Sequence, residues 1–359
     1  MAATARTRVL IVDDSAVVRK LLGDALRKHD DLEVVGGAAD PYVAREMILQ
    51  HNPDVITLDI EMPRMDGLSF LKKLMEHHPI PAIIVSSLTQ SGSAASVEAL
   101  RIGAIDVIGK PGGPTAVAQV AERVADRIRA LRQRPIVLTK RVPAATPQTT
   151  VTLTGSAKNA RGLIAVGAST GGTQAIEAFL TRLPADVPPI VITQHMPAGF
   201  TRAFAERLDT VCPMRVREAQ GGEMLERGVA YVAPGGHHMV IDRAGLELRT
   251  RLTQGPPVHH QRPAVDVMFE SIAKLPGLPV VGLLLTGMGA DGADGMVALR
   301  KAGAETIAEA EESCIVFGMP KEAIARGGAC HVASLLQIPS LVIDCLGRGG
   351  RTRSERTVA

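Results

Sequence analysis

A serine flanked by glycines, in Gly167-Ala168-Ser169-Thr170-Gly171, follows directly on an apolar run that begins at Gly162. Helical periodicity starts just after it, so the pattern predicts a strand, a tight turn and a helix, with the Ser169 hydroxyl above the carboxyl end of the strand. The amides that open the helix can face a developing anion. This arrangement is typical of a nucleophile. A glycine-rich turn whose serine caps the helix explains it equally well, and both interpretations stay open on this stretch alone.

Two further polar residues follow apolar runs in the same half of the chain. His195 comes after a run that ends at Thr193, and Asp291 follows the run 280–285 and a glycine-rich loop. A serine hydroxyl needs a base to take its proton, histidine has a suitable pKa, and a carboxylate can fix the histidine tautomer. The three side chains therefore predict a Ser-His-Asp triad. Taken singly, His195 is more often structural, and Asp291 could instead cap the following helix, as could Asp294.

The glycine-rich loop also offers an oxyanion donor. It reads Thr286-Gly287-Met288-Gly289, and the Met288 amide can face the anion that forms when the nucleophile attacks. The chain order Ser, His, Asp differs from that of ordinary α/β-hydrolases, in which the acid precedes the histidine. Since triads are defined by geometry, this order is no objection to catalysis.

In the first 130 residues, polar side chains stand at the ends of four predicted strands: Asp13 and Asp14, Asp59, Ser86 and Lys110. Three carboxylates at one edge would repel one another unless a cation lay among them, and hard oxygen ligands suit Mg²⁺. The lysine could pair with an added anion. A lone aspartate is usually a solvated loop residue, but this whole set falls in register with the strand ends, which favours a functional site.

Short apolar runs and amphipathic stretches provide the elements that position these residues. Five strand-like runs alternate with helical patterns in the first part, which indicates a parallel sheet with helices on both faces. The second part repeats the alternation around Ser169, His195 and Asp291. The predicted strands are 8–12, 32–36, 54–58, 82–85, 104–108, 162–168, 189–193, 229–233, 239–241 and 280–285.

Composition excludes several classes of protein. The 359 residues are 46% hydrophobic with a net charge of +3, and the clearest basic clusters, 132–141 and 348–356, fit a linker and a tail better than a nucleic-acid surface. Aromatic residues are only 2%, which argues against base stacking. Every long apolar run is interrupted, and the N-terminal run meets Asp13 and Asp14, so neither a membrane span nor a signal peptide is predicted. The four cysteines lack paired spacing, which favours reduced thiols in a cytoplasmic protein.

The first part resembles the receiver domain of two-component response regulators. The resemblance implies that Asp59 accepts a phosphoryl group from a histidine kinase, that Asp13, Asp14 and Asp59 hold Mg²⁺, and that Ser86 and Lys110 contact the phosphate. Val107 stands three positions before the lysine, where many receivers carry Tyr or Phe, so an aromatic switch is not supported. The motifs are Val12-Asp13-Asp14-Ser15, Leu58-Asp59-Ile60-Glu61-Met62-Pro63-Arg64-Met65-Asp66-Gly67, Ser86 and Lys110-Pro111.

The second part resembles the chemotaxis protein-glutamate methylesterases. That family hydrolyses glutamate γ-methyl esters on chemoreceptors, and many members deamidate receptor glutamines. The resemblance implies Ser169 as nucleophile, His195 as base, Asp291 as orienting acid and the Met288 backbone as oxyanion donor, with no cofactor for the ester chemistry. The motifs are Gly167-Ala168-Ser169-Thr170-Gly171-Gly172, Thr193-Gln194-His195-Met196-Pro197, Ala233-Pro234-Gly235, Arg262-Pro263-Ala264-Val265-Asp266, Leu285-Thr286-Gly287-Met288-Gly289-Ala290-Asp291-Gly292 and Val316-Phe317-Gly318-Met319-Pro320.

The predicted organisation is therefore two doubly wound, mostly parallel-sheet α/β domains. We expect a flavodoxin-like receiver at 1–130, a flexible linker at 131–160, a Rossmann-like hydrolytic domain at 161–347 and a basic tail at 348–359. The resemblance implies methyl-accepting chemoreceptors as substrates, a histidine kinase as phosphodonor, and an unphosphorylated receiver that limits access to the catalytic face. We expect a monomer that neither binds nucleic acid nor inserts into a membrane.

Two other functions remain to be weighed. A DNA-binding response regulator would need a helix-turn-helix and a basic recognition surface after the linker, and the sequence shows neither. An adaptor that keeps the fold without catalysis would not need Ser169, His195 and Asp291 together. Methanol release from a methylated receptor distinguishes the enzyme from both alternatives.

Overall fold

The computed structural model describes residues 6–86, 90–110, 117–132, 162–245 and 247–349. The chain forms two compact units, Met1–Ala144 and Ala145–Ala359. The predicted domain boundaries stay predictions, since most of the linker expected at 131–160 and of the tail expected at 348–359 lies outside the described residues.

The first unit contains a five-stranded parallel sheet of order β2-β1-β3-β4-β5. Apolar side chains of β1, β3 and β4 are buried on both faces, as expected for parallel strands covered by helices on each side. Its strands are β1 (Thr7–Val12), β2 (Leu32–Ala38), β3 (Val55–Leu58), β4 (Ala82–Ser86) and β5 (Asp106–Gly109).

Polar N-caps start the first three helices of the first unit. Ser15, Asp40 and Asp66 each accept hydrogen bonds from amides in the first turn of the helix that follows. The Asp66 cap directly follows the loop after Asp59, so it fixes where that loop ends. The helices are α1 (Ala16–Leu26), α2 (Pro41–His51), α3 (Gly67–His77), α4 (Gln90–Ile102) and α5 (Val117–Arg132).

The second unit contains a seven-stranded parallel sheet of order β14-β13-β12-β6-β7-β9-β8. From β6 the chain adds β7, then β8 at the edge of the sheet and β9 between them, and it later returns to β12 on the other side of β6. This places a topological switch point between β6 and β12, where ligands bind in open α/β sheets. The strands are β6 (Leu163–Ala168), β7 (Ile190–Gln194), β8 (Arg215–Glu218), β9 (Val229–Val232), β12 (Val280–Leu284), β13 (Glu305–Glu309) and β14 (His331–Ala333).

An antiparallel hairpin of β10 and β11 forms a separate two-stranded sheet in this unit. Its buried residues Met239 and Ile241 join the main core, and the hairpin packs against helix α8. The remaining elements are β10 (His238–Ala244), β11 (Glu247–Thr253), α6 (Gly172–Leu180), α7 (Phe200–Val211), α8 (Val265–Ala273), α9 (Ala293–Lys301), α10 (Met319–Ala325) and α11 (Ile338–Gly349).

The prediction of two doubly wound, mostly parallel sheets is confirmed. Among the described residues, no helix combines the length and apolar character needed to cross a bilayer. None of the four cysteines, all of which lie in the described ranges, forms a disulfide bond.

Candidate active site

The turn after β6 holds Ser169 in place through its backbone. Gly171 has φ of +78°, a conformation that favours glycine, and the Gly172 amide donates to the Ser169 carbonyl at 2.7 Å. A Cβ at Gly172 would lie 2.2 Å from Gln194 Oε1. Gln194 Nε2 in turn donates to the Ser169 carbonyl at 2.9 Å. The glycines thus allow β7 to pack tightly against the nucleophile turn.

The Ser169 hydroxyl is buried and makes no hydrogen bond in the described part of the chain. If Ser169 capped α6, its hydroxyl would accept a hydrogen bond from a helix amide. The N-cap of α6 is instead Gly171, with no side-chain cap. The unpaired hydroxyl therefore favours the nucleophile over the capping interpretation, because a buried polar group without a partner is costly and marks functional sites.

His195 and Asp291 form a buried pair at the same edge of the sheet. The His195 Nε2 atom lies 2.6 Å from Asp291 Oδ2, and each side chain is about 2% exposed. The hydrogen bond to the carboxylate occupies Nε2, which leaves Nδ1 as the nitrogen available to accept a proton.

Neighbouring strands bring Ser169 and His195 to adjacent positions. Ala168 and Gln194 are partners in the β6–β7 ladder, and the His195 amide donates to the Ala168 carbonyl at 3.2 Å. Ser169 makes no hydrogen bond to His195, so the proton-transfer contact is not pre-formed. Such contacts often tighten only when substrate binds.

Asp291 is fixed by helix α8 and not by the helix that follows it. Its Oδ2 accepts from the Val265 amide at 2.7 Å and its Oδ1 from the Asp266 amide at 2.9 Å. The N-cap of α9 is Gly292, with no side-chain cap, so the alternative of Asp291 as a cap for α9 does not hold. Asp291 sits at the positive N-terminal end of α8, which favours a carboxylate.

Burial and hydrogen bonding act in opposite directions on the two acidic groups here. Burial alone would raise the pKa of Asp291, but the bonds from His195 and the α8 amides hold it below its ordinary value of 3.8. Burial raises the pKa of Asp266 to about 6, although the hydrogen bond from the Gly295 amide opposes this shift. Asp266, in the first turn of α8, also lies 3.0 Å from His259 Nε2, a distance that allows an ion pair. Asp291 is therefore the carboxylate that stays ionised beside His195.

The loop after β12 lies directly against the nucleophile. The Ser169 amide donates to the Thr286 carbonyl at 3.0 Å. A Cβ at Gly287 would come within 2.8 Å of Ser169 Cβ, so this position requires glycine for close approach. Met288, the predicted oxyanion donor, is the next residue on this loop and is half-buried.

In the first unit, the polar residues predicted at strand ends also meet at one edge. Ligand oxygens of Asp13, Asp14 and Asp59 all lie within 4.8 Å of one another. Lys110 Nζ lies 2.6 Å from Asp59 Oδ2 and 2.9 Å from Asp13 Oδ2. Three carboxylates beside a single ammonium form a hard-oxygen donor set with excess negative charge, and this set fits Mg²⁺.

Charge and burial tune the Asp59 site. Burial raises the pKa of Asp59 above its ordinary value, although the Lys110 hydrogen bond opposes the shift. Burial alone would lower the pKa of Lys110, but its bonds to Asp59 and Asp13 raise it, so the lysine stays charged. Ser86 is fully buried, and its hydroxyl has no hydrogen-bond partner in the described residues. The Lys110 amide donates to the Ser86 carbonyl at 2.6 Å, so both side chains belong to one edge.

Sequence reasoning missed three residues that support the second site: Gln194, Thr286 and Glu309. Gln194 holds the nucleophile turn, and Glu309 Oε2 accepts from the Thr286 amide at 2.8 Å. All three stand at or just after the carboxyl end of a strand, the same signal that identified His195. The sequence did not identify Glu309 because β13 itself was not predicted.

The burial of Glu309 predicts a pH-dependent change in stability. Burial raises its pKa from 4.5 to about 7, so the folded state holds the proton more tightly than the unfolded state. The contribution of Glu309 to stability is therefore fully present below pH 4.5 and is lost as the pH rises through 7. Glu309→Gln removes this loss. We expect the unfolding free energy of Glu309→Gln minus that of wild type, measured by urea denaturation, to be roughly 2–3 kcal/mol larger at pH 8 than at pH 5.

The exposed Glu247→Gln on β11 is the matched control and should show the same stability difference at both pH values. A Glu309→Gln gain that does not change between pH 5 and pH 8 would contradict the buried, proton-binding state of this carboxyl.

Comparisons with known proteins identify the family of each unit. The sequence profile of the response regulator receiver domain matches residues 9–122, and that of the CheB methylesterase matches residues 164–342. A protein-glutamate methylesterase/protein-glutamine glutaminase 2 of Syntrophus aciditrophicus is 48% identical over 94% of this chain and 98% of its own length. The corresponding protein of Salmonella typhi is 47% identical over 97% of this chain and 99% of its own length.

The crystal structure of the Thermotoga maritima CheB methylesterase catalytic domain is also similar. It is 36% identical, with a TM-score of 0.50, and the match covers 51% of this chain and 98% of that domain. Since the relatives match along nearly their whole length, in both units and in the same order, the chain belongs to the family of two-domain CheB protein-glutamate methylesterases that carry a response regulator receiver domain.

Proposed function

We propose that this protein removes methyl groups from glutamate γ-methyl esters on chemoreceptors and deamidates receptor glutamines, under the control of phosphorylation at Asp59. The buried His195–Asp291 pair, on the strand next to a serine whose hydroxyl has no hydrogen-bond partner among the described residues, is the observation that carries the proposal. The similarity of both units to methylesterase/glutaminase relatives supports the same substrate class.

In the proposed reaction, Ser169 Oγ attacks the side-chain carbonyl carbon while His195 Nδ1 takes the hydroxyl proton. Asp291 orients the imidazole and stabilises its charged form. The Met288 amide donates to the tetrahedral oxyanion, an interaction whose loss costs on the order of 10²–10³ in turnover. The carbon–oxygen or carbon–nitrogen bond then breaks, and His195 protonates the leaving methanol or ammonia.

Water completes the cycle. His195 takes a proton from a water molecule, whose oxygen attacks the acyl carbon of the ester bond to Ser169. The bond between the carbon and Ser169 Oγ then breaks, the proton returns to the serine, and the receptor glutamate is released. An ester and a primary amide pass through the same acyl-enzyme, which is why one site can perform both reactions.

For regulation, a carboxylate oxygen of Asp59 attacks the phosphorus of a phosphohistidine on a kinase, and the phosphorus–nitrogen bond breaks. Asp13, Asp14 and Asp59 would hold Mg²⁺, which when bound offsets the charge of the phosphoryl oxygens. Lys110, already 2.6 Å from Asp59, stabilises the added anion. The buried Ser86 hydroxyl has no competing partner in the described residues and can donate to a phosphoryl oxygen.

The experiment that tests the function is methanol release from membranes carrying methylated receptor, with and without a small phosphodonor and Mg²⁺. We expect release by the full-length chain, stimulated by the phosphodonor. No methanol above the background of heat-treated protein, with receptor methylation unchanged, would rule out the proposed activity.

Asp59→Asn should remove the stimulation without abolishing basal activity. Allosteric coupling of this kind is typically 5–150-fold, and asparagine cannot accept a phosphoryl group. We therefore expect at least about fivefold stimulation in wild type and none in the variant. Asp24→Asn, an exposed substitution on α1, is the matched control and should respond as wild type does.

An isolated fragment of the catalytic unit tests the predicted restriction of access by the receiver, since the Thermotoga maritima catalytic domain was crystallised alone. A fragment that is no faster than the unphosphorylated full chain would contradict restriction of access. Stimulation that survives in Asp59→Asn would contradict Asp59 as the phosphorylation site.

A further inference from the structure

Glu309 is a fully buried carboxyl group that contacts the catalytic loop from the neighbouring strand. β13 pairs with β12, so the end of β13 lies beside the start of the loop after β12. Glu309 Oε2 accepts from the Thr286 amide at 2.8 Å, and Oε1 accepts from the Ser313 hydroxyl at 2.9 Å. Both carboxyl oxygens therefore have defined partners on two different segments.

Thr286 connects this carboxyl to the nucleophile turn. Its carbonyl accepts from the Ser169 amide at 3.0 Å, and its hydroxyl donates to the Thr170 carbonyl at 3.0 Å. The Val316 amide donates to the same hydroxyl at 2.9 Å. All three Thr286 polar groups are thus used, and their bonds connect the nucleophile turn, the end of β13 and the backbone at Val316 to the loop that carries Met288.

We propose that Glu309 is a positioning residue for catalysis: by holding the Thr286 amide, it fixes the loop of the oxyanion donor relative to Ser169. This inference rests on the proposed function of Ser169 and Met288. Glu309 does not touch the substrate in this scheme. It acts because an amide without an acceptor in this buried place would turn towards another partner and take Gly287 and Met288 with it.

The role requires an acceptor and not a charge. The raised pKa of Glu309, about 7, means that the neutral and ionised forms coexist near neutral pH. In the neutral form one oxygen still accepts from Thr286, while the acid proton can be donated to the Ser313 hydroxyl. Glutamine offers the same geometry, with its carbonyl towards Thr286 and its amide towards Ser313. Leucine has a similar shape and offers no acceptor.

The test compares Glu309→Gln and Glu309→Leu in the full-length chain with a phosphodonor. Steady-state methanol release is measured, together with hydrolysis of p-nitrophenyl acetate, an ester that needs no receptor. We expect kcat of Glu309→Gln within about threefold of wild type. For Glu309→Leu we expect a 10–100-fold lower kcat with KM within about twofold, because a displaced oxyanion donor affects mainly the transition state.

Glu312→Leu, an exposed change three residues away, is the matched control and should behave as wild type. A folded Glu309→Gln that is as slow as Glu309→Leu would overturn the proposal, as would Glu309→Leu with wild-type kcat or with a change confined to KM. If Glu309→Leu does not fold, Glu309→Gln still decides: near wild-type kcat supports the proposal, and a large loss overturns it.

The two assays separate this inference from the function on which it rests. If the receptor is not the substrate, methanol release fails while p-nitrophenyl acetate hydrolysis still reports the effect of Glu309. If Ser169→Ala leaves p-nitrophenyl acetate hydrolysis unchanged, the nucleophile is wrong, and the role of Glu309 falls with it.

Discussion

Ser169→Ala is expected to lower the rate of methanol release by about 10⁴-fold or more, to the level that binding and the oxyanion donor alone can supply. The reaction loses the atom that forms the acyl bond, and His195 has no hydroxyl proton to take. The measurement is steady-state methanol release from methylated receptor with a phosphodonor present. Residual activity above about 1% would show that another group attacks the ester.

This variant should fold as wild type does. The Ser169 contacts are backbone contacts: its amide donates to Thr286, and its carbonyl accepts from Gly172 and Gln194. The hydroxyl has no partner in the described residues, so alanine removes a buried polar group that gains nothing from folding. We expect unchanged or slightly higher thermal stability. Ser340→Ala, on the exposed side of α11, controls for loss of a hydroxyl and should keep full activity.

Most of the fold follows from the hydrophobic pattern. The runs that became β1, β3, β4, β6, β7 and β12 are continuous and apolar because these strands are buried on both faces, and such runs stand out in a sequence. The missed strands β8, β11, β13 and β14 are either only three residues long, as β14 is, or carry charged residues, as in Arg215–Glu218 and Glu247–Thr253. Two of them, β8 and β14, end the sheet, where less apolar surface is buried.

Part of the candidate site could be predicted from the sequence for the same reason. Ser169, His195 and Asp291 stand just beyond apolar runs, so the rule that sites lie at the carboxyl ends of parallel strands selected them. Strand order did not follow from the sequence. Contacts such as Glu309 to Thr286, or Asp291 to the α8 amides, depend on which strand neighbours which and on where a helix starts. No feature of the sequence around Glu309 indicates that it contacts Thr286, which is 23 residues away.

The geometry of the Asp291 carboxylate predicts the second large effect, a loss of about 10³–10⁴-fold in kcat for Asp291→Asn. Oδ2 accepts from both His195 and the Val265 amide, and Oδ1 accepts from the Asp266 amide. An asparagine must place its NH₂ group at one of these positions. Either choice sets a donor against a backbone N–H of α8, because both oxygens face helix amides.

The two orientations of asparagine harm catalysis in different ways. With NH₂ towards His195, the Nε2 atom must accept, so Nδ1 carries the proton and cannot act as base for Ser169. With the carbonyl towards His195, the tautomer is kept, but the charge that stabilises the imidazolium is lost. In either orientation the stabilisation of the transition state decreases more than substrate binding does, so kcat should fall while KM changes little.

Asp294→Asn is the matched control, since Asp294 lies on the exposed start of α9 and pairs with Arg326 at the surface. Its kcat should stay within about twofold of wild type, because exposed ion pairs contribute little. The decisive comparison is the pH dependence of kcat/KM, which in wild type reports the base of the free enzyme. If Asp291→Asn retains more than about a tenth of wild-type kcat, His195 does not depend on this carboxylate, and the buried 2.6 Å pair is structural rather than catalytic.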